Sequence, residues 1–244
     1  MLGNENEKYN DKPRPGCKDL WNASLLKGAY YTEGNDIPIC WKCNGTVPTG
    51  LIAYDDAKAL HKKLISKDPN YHVNMYIHFY IDDQKFDGKR ESIWLYPDKL
   101  IELLYHFDGV ISPDFSTYAD FPMFVKGNNF FRMRAFDYIF QQHGIPVIPN
   151  VRWGTSETWS YCFDGIPSNG IIAIGVVASG INKTMNRMYF KDGLDKALEM
   201  LTPHTMVIYG SDNYDIFDNL RNCGIKVIAF PSKTSLAYRE GGRV

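Results

Sequence analysis

From residue 50 onward, short apolar runs alternate with amphipathic stretches to the end of the chain. The runs at 51–54, 74–81, 109–111, 146–150, 170–177, 205–209 and 226–230 have the length and composition of strands. Between them lie helical stripes. Leu100, Leu103, Leu104 and Phe107 recur at helical spacing behind Pro97, whose fixed φ suits a first helical turn. Phe190, Leu194, Ala197, Leu198 and Leu201 form a second stripe, and Ile216, Leu220 and Cys223 a third. Phe131, Ala135 and Ile139 mark a fourth within 122–142, and Ala57, Leu60 and Leu64 a fifth. Asp108-Gly109, His143-Gly144 and Cys223-Gly224 each stand between a stripe and a strand, as left-handed helix caps would.

Helix, cap and strand in repetition predict βα units, whose strands are parallel and buried on both faces. That many strands predict a parallel (β/α) barrel-like fold, closed or incomplete; a doubly wound open parallel sheet is the alternative. Residues 1–16 are polar, carry two prolines and lack periodicity, so a flexible tail is expected there. The remainder, 17–244, is expected to be a single α/β domain with an irregular Gly-, Pro- and Asn-rich segment at 17–50 and a short strand at 37–39.

Twenty-seven basic residues against 28 acidic ones leave a net charge of −1, which disfavours a partner as polyanionic as extended nucleic acid. Lys85, Lys89 and Arg90 remain as a local basic cluster. No run reaches the roughly 18 apolar residues of a membrane helix, and the first residues have no apolar signal core. A cytoplasmic chain with no membrane partner is the expectation. Five cysteines, an odd number spread along the chain, fit a reduced compartment.

In either architecture the chemistry sits at the C-terminal ends of the strands. The second strand carries Tyr76, His78, Tyr80 and Asp82 on one face and ends in Asp82-Asp83. The third ends in Ser112-Pro113-Asp114, the fourth in Asn150-Val151-Arg152-Trp153, and the sixth in Tyr209-Gly210-Ser211. Paired carboxylates can divide the roles of acid and base, and an Arg among them can clamp an anion. Asp82, Asp114 and His78 are therefore the catalytic candidates. Tyr80, Asp83, Ser112, Asn150, Arg152, Trp153, Tyr209 and Ser211 are the ligand-binding ones. The plainer reading has the aspartates capping the next turn, His78 in the core, and Arg132 and Arg134 in surface ion pairs.

Cys40 and Cys43 have the spacing of half a zinc knuckle, but a second pair is missing, so no structural zinc is expected. No cofactor is implied, although the carboxylates leave a divalent metal open. Neither GxGxxG nor GxxxxGK[ST] occurs.

Taken in order, four stretches resemble one family: His78-Phe79-Tyr80-Ile81-Asp82-Asp83, the run 107–116 around Ser112-Pro113-Asp114, Val147-Ile148-Pro149-Asn150-Val151-Arg152-Trp153, and Phe163-Asp164-Gly165-Ile166-Pro167. So does Val207-Ile208-Tyr209-Gly210-Ser211. The family is the bacterial and phage group called domain of unknown function 4417, and the resemblance spans about residues 70–230. It implies carriage by phages and other mobile elements, without a reaction. Three functions follow as expectations: a hydrolase or lyase acting on a small phosphorylated or nucleotide-like ligand; a binding protein that sequesters a nucleotide signal against host defence; or a nucleic-acid-binding maintenance factor. The oligomeric state is left open.

Overall fold

The computed structural model describes residues 15–177 and 179–239. All but the last two residues of the expected tail lie outside them. The chain proceeds through β1 (Leu51–Ala53), α1 (Tyr54–Leu64), β2 (Val73–His78), α2 (Pro97–Leu104), β3 (Phe107–Ile111), α3 (Met123–Gln142) and β4 (Val147–Ile148). It continues through β5 (Ile171–Gly175), α4 (Thr184–Leu201), β6 (Thr205–Tyr209), α5 (Asp215–Asn222), β7 (Lys226–Phe230) and α6 (Lys233–Arg239). Each strand expected from residue 51 onward and each helical stripe is present, and α6 is an addition. Pro97 does begin α2. The fourth strand shrinks to two residues because Pro146 and Pro149 flank it and neither has an N–H for the ladder.

Strands pair in parallel and in sequence order, β1-β2-β3-β4 in one ladder and β5-β6-β7 in another. A parallel bridge from Asn150 to Ala173 joins the two. Around it Val151 N donates to Ala173 O at 2.8 Å, and Ala173 N to Pro149 O at 2.9 Å. Within each ladder the order never reverses, as it would in a doubly wound sheet. A large apolar layer separates sheet from helices. A second, smaller cluster of Tyr76, Ile111, Ile148, Ala173 and Val207, with Leu51 and Phe230 packed on it, draws on every strand from β1 to β7. At the strand C-termini Lys233 of α6 pairs with Asp56 at 2.5 Å and Asp55 at 3.7 Å, so the chain after β7 meets the start of α1, just after β1.

Three expectations need correction. Gly144 and Gly224 adopt the left-handed conformation of helix caps, but Gly109 does not. It lies inside β3, where only hydrogen fits: an added Cβ would sit 2.5 Å from Tyr76 Cε1 and 2.6 Å from Pro146 O. The strand expected at 37–39 is a single bridge, Tyr31 to Pro38. Arg132 and Arg134 are buried, because α3 is covered on both sides. Segment 17–50 lies over it: Tyr138 Oη donates to Lys27 O, and the Gln141 amide bonds Trp41 N and O, each at 2.8 Å. Arg132 stacks on Phe115 at 3.8 Å and pairs with Asp87.

Gly109→Ala is expected to lower stability by about 1–3 kcal/mol, the usual cost of overpacking a tight core. An unchanged unfolding midpoint in urea would mean that Tyr76 does not lie across β3.

Candidate functional site

Four residues past the end of β2, three past β3 and four past β4 stand Asp82, Asp114 and Arg152, all at the same end of the sheet. The buried Asn150 organises the space between them. Its side-chain oxygen accepts from Tyr80 Oη at 3.0 Å, and its Nδ2 donates to Asp114 Oδ1 at 2.7 Å. The other Asp114 oxygen takes Arg152 Nη1 at 2.7 Å. Both partners of this ion pair are largely but not wholly buried. Burial works against the Arg152 charge, but Asp114, then Asp83 and Tyr118, outweigh it and raise its pKa.

Below Asn150 lies a support that sequence reasoning missed. Its backbone N–H donates to Ser112 Oγ at 2.8 Å, and that hydroxyl donates to Asp137 Oδ1 at 2.5 Å. Its carbonyl accepts from Arg134 Nη2 at 2.8 Å, and Arg134 pairs with Asp137 at 3.2 Å. Burial pushes the Asp137 carboxyl up to about 6, against the opposing pull of Arg134 and Ser112. Arg134 is expected from sequence in a surface ion pair because nothing local shows that segment 17–50 covers α3; its partner Asp137, three residues on, is buried with it.

Beside this network, His78, Tyr80 and Tyr209 form an aromatic block. The two tyrosine rings stack at 5.2 Å, and His78 lies 4.3 Å from Tyr209 and 5.6 Å from Tyr80. His78 Nδ1 accepts from Tyr80 N at 3.2 Å. Burial, aided by Lys233, pushes its pKa down to about 4, with Asp55 and Asp56 opposing, so the ring is neutral at neutral pH. Tyr209 is tied to α6, where Lys233 N donates to its hydroxyl at 3.4 Å.

The remaining candidates take other roles. Asp82 is exposed. Asp83 ties down the loop after β3, accepting from Ser116 N at 3.0 Å and Ser116 Oγ at 2.9 Å, rather than capping the turn that follows it in sequence. Ser112 is a buried relay, and Ser211 closes a local turn through Asn213 N. Trp153 does not join Arg152 at the rim: its ring packs 5.1 Å from Phe190 and covers Gly193 on α4. Cys40 is buried and its thiol donates to Gly165 O, with burial raising its pKa well above the usual range. Among the described residues no group of three His, Cys, Asp or Glu side chains comes close enough to hold a metal. No helix among them is long and apolar enough to cross a membrane.

Parallel strands in sequence order, helices between them, and a polar network at the strand C-termini define a mixed α/β protein with its candidate site on the sheet's C-terminal rim. The chain belongs to the family described as "Domain of unknown function (DUF4417)", which matches residues 31–231. It is 31% identical over 138 residues to the Gene 1 protein of Mycobacterium phage D29, covering 57% of this chain and 49% of that protein. With the Gene 1 protein of Mycobacterium phage L5 it shares 31% over 134 residues, 55% of this chain and 56% of that protein. The chain thus spans about half the length of the curated relatives it matches. No solved structure matches it.

Folding lowers the His78 pKa from 6.5 to about 4. The unfolded chain therefore takes up more protons between those values, and the contribution of His78 is lost as pH falls through that window. Asp137, raised from 3.8 to about 6, acts in the opposite direction as pH rises from about 4 to 6. Between pH 7.5 and 4.5 the wild type is expected to lose more thermal stability than His78→Gln. Equal losses would show that His78 titrates normally in the fold.

Proposed function

We propose that the C-terminal rim binds a small phosphorylated or nucleotide-like anion, with Arg152 as the clamp. The observation that carries this is the partly exposed Asp114–Arg152 pair at the ends of adjacent parallel strands. A guanidinium there offers a planar, permanently charged fork suited to phosphate. We read the fold as an incomplete (β/α) barrel, supported by the sequential strand order, the inner cluster and the Lys233 ion pairs. Ligands of such folds bind at this end.

On this reading the protein is a hydrolase or lyase in which Asp114 is the base, Tyr80 and Tyr209 wall the site, and His78 supports them from behind. Asp82, exposed, has the weaker claim to a catalytic role. A non-catalytic protein that sequesters a nucleotide signal is the second reading. It is favoured by the engagement of both Asp114 oxygens, which leaves neither unpaired in the resting site. Its likeness to phage proteins suits that anti-defence role. A nucleic-acid-binding factor has less support, given the net charge of −1. The five cysteines, all free, support a cytoplasmic setting.

Calorimetry against inorganic phosphate, sugar phosphates and nucleoside phosphates tests the site. Arg152→Ala is expected to weaken binding by about 1.5–3 kcal/mol, the range for hydrogen bonds to charged groups. Unchanged affinity would put the site elsewhere. Asp114→Asn is expected to retain binding and abolish turnover of the bound compound; a wild type that binds but never turns it over decides for sequestration.

A further inference from the structure

The Asp114 carboxylate is fixed from both its side chain and its backbone. Asn150 Nδ2 donates to Oδ1 at 2.7 Å. Tyr80 Oη, donating to the Asn150 side-chain oxygen at 3.0 Å, decides which end of that amide faces the carboxylate. The Tyr80 ring is fixed in turn: it stacks on Tyr209 at 5.2 Å, and a Cβ on Gly175 would meet it at 2.6 Å. On the backbone side, Ser116, two residues after Asp114, is tied to Asp83 through its N–H and its hydroxyl. Its carbonyl accepts from Asn129 Nδ2 at 2.6 Å. Oδ2 is thereby kept at the guanidinium, 2.7 Å from Arg152 Nη1.

An oxyanion taken by the same guanidinium comes to lie beside Oδ2, whether it shares Nη1 or displaces Oδ2 from it. The Arg152 and Asp114 side chains are 25% and 15% exposed, so water screens the contact little. Two bare oxyanions held so close do not both stay ionised; they share a proton, as paired carboxylates do. The basic side chains of neighbouring segments are already paired and do not offset the repulsion. Lys85 and Lys233 are taken by Asp55 and Asp56, Lys126 by Glu157, and Arg134 by Asp137. Asp83 and Tyr118, which also act on the Arg152 charge, add nothing positive, and burial keeps the Tyr80 phenol protonated. An anion that brings its own proton meets both groups at once.

We propose that the Arg152 site selects phosphates that carry a proton, inorganic phosphate or a terminal phosphomonoester, the P–O–H donating to Asp114 Oδ2 while another oxygen accepts from Arg152. This rests on the reading of Arg152 as an anion clamp and narrows it. Sulfate and phosphodiesters, cyclic nucleotides among them, have no such proton at neutral pH and bind poorly. A phosphomonoester, whose second pKa is about 6, takes up a proton as it binds; inorganic phosphate already holds one.

The test is calorimetric titration of the full chain with inorganic phosphate, sulfate, AMP and 3′,5′-cyclic AMP, in buffers of differing ionisation enthalpy. Phosphate is expected to bind more tightly than sulfate, and AMP more tightly than cyclic AMP, each by about tenfold or more, the cost of a buried group left without its partner. Sulfate carries two charges and cyclic AMP one, so weak binding of both is not an effect of charge. AMP binding should take up close to one proton and weaken by about tenfold for each pH unit above neutrality. Phosphate should hold its affinity over that range. In Asp114→Asn, with Oδ1 still taken by Asn150, the new amide turns an N–H toward the ligand. Sulfate and cyclic AMP should then bind as well as phosphate and AMP, and the proton uptake should vanish. AMP as the tighter ligand identifies a monoester, and phosphate as the tighter one the free ion; either satisfies the inference. If the wild type does not discriminate, or discrimination survives Asp114→Asn, the inference falls, and the anion site stands provided Arg152→Ala weakens binding. If Arg152→Ala weakens no probe, or none of the four binds, the anion site falls and the inference with it.

Discussion

The buried amide of Asn150 ties the sheet to the site. At 1% exposure it has almost no access to water, so its polar atoms must find partners within the protein. Its backbone takes Ser112 and Arg134, its side chain takes Tyr80 and Asp114, and the same residue bridges to Ala173 where the two ladders meet. Each partner left unpaired in such surroundings costs about 1–3 kcal/mol. Joint and site therefore share one residue, and a change that loosens the Asp114–Arg152 pair from this side also loosens the contact between β4 and β5.

Support for Asn150 comes from α3, and it is costly support. Arg134 and Asp137 are charged groups removed from water, and such pairs repay their desolvation only when the geometry is good. The raised pKa of Asp137 is one expression of that cost. What the pair contributes is position: it fixes Ser112 on one side of the Asn150 peptide and the carbonyl on the other. The arrangement exists because segment 17–50 closes over the helix through Lys27, Trp41 and the Cys40–Gly165 contact. The irregular segment is thus structural cover for the floor of the site.

Strands and helices were legible because each carries its own signal: apolar runs for β5 and β6, apolar stripes for α2 and α5. The rim was legible too, since strand ends in parallel sheets point to one side, and Asp114, Asn150 and Arg152 could be named from their offsets alone. What escaped depends on contacts distant in sequence. Gly109 sits before an apolar run exactly as a cap would, and only the Tyr76 ring across it reveals a strand residue. Trp153 adjoins Arg152 in the chain, yet the backbone sends the indole to Gly193 of α4. Lys233, which meets the start of α1 from the far end of the chain, is equally silent.

If the rim is the anion site proposed for it, its chemistry would follow from competition for one guanidinium. In the resting site Asn150 holds Asp114 Oδ1 and Arg152 holds Oδ2, so the carboxylate acts as an acceptor on both sides. On the proposed reading, a phosphate on Arg152 would compete with Oδ2 for the same donor, and a charged ligand would favour that exchange more than a neutral one. Asn150 would keep its hold on Oδ1, so the oxygen released would be the one now 2.7 Å from Arg152 Nη1, and binding would expose a base in the same event. With His78 neutral behind Tyr80 and Tyr209, no cationic acid stands in that block to supply a proton at neutral pH. A hydrolase of the proposed kind, built on this rim, would therefore take its acid from the ligand or from solvent.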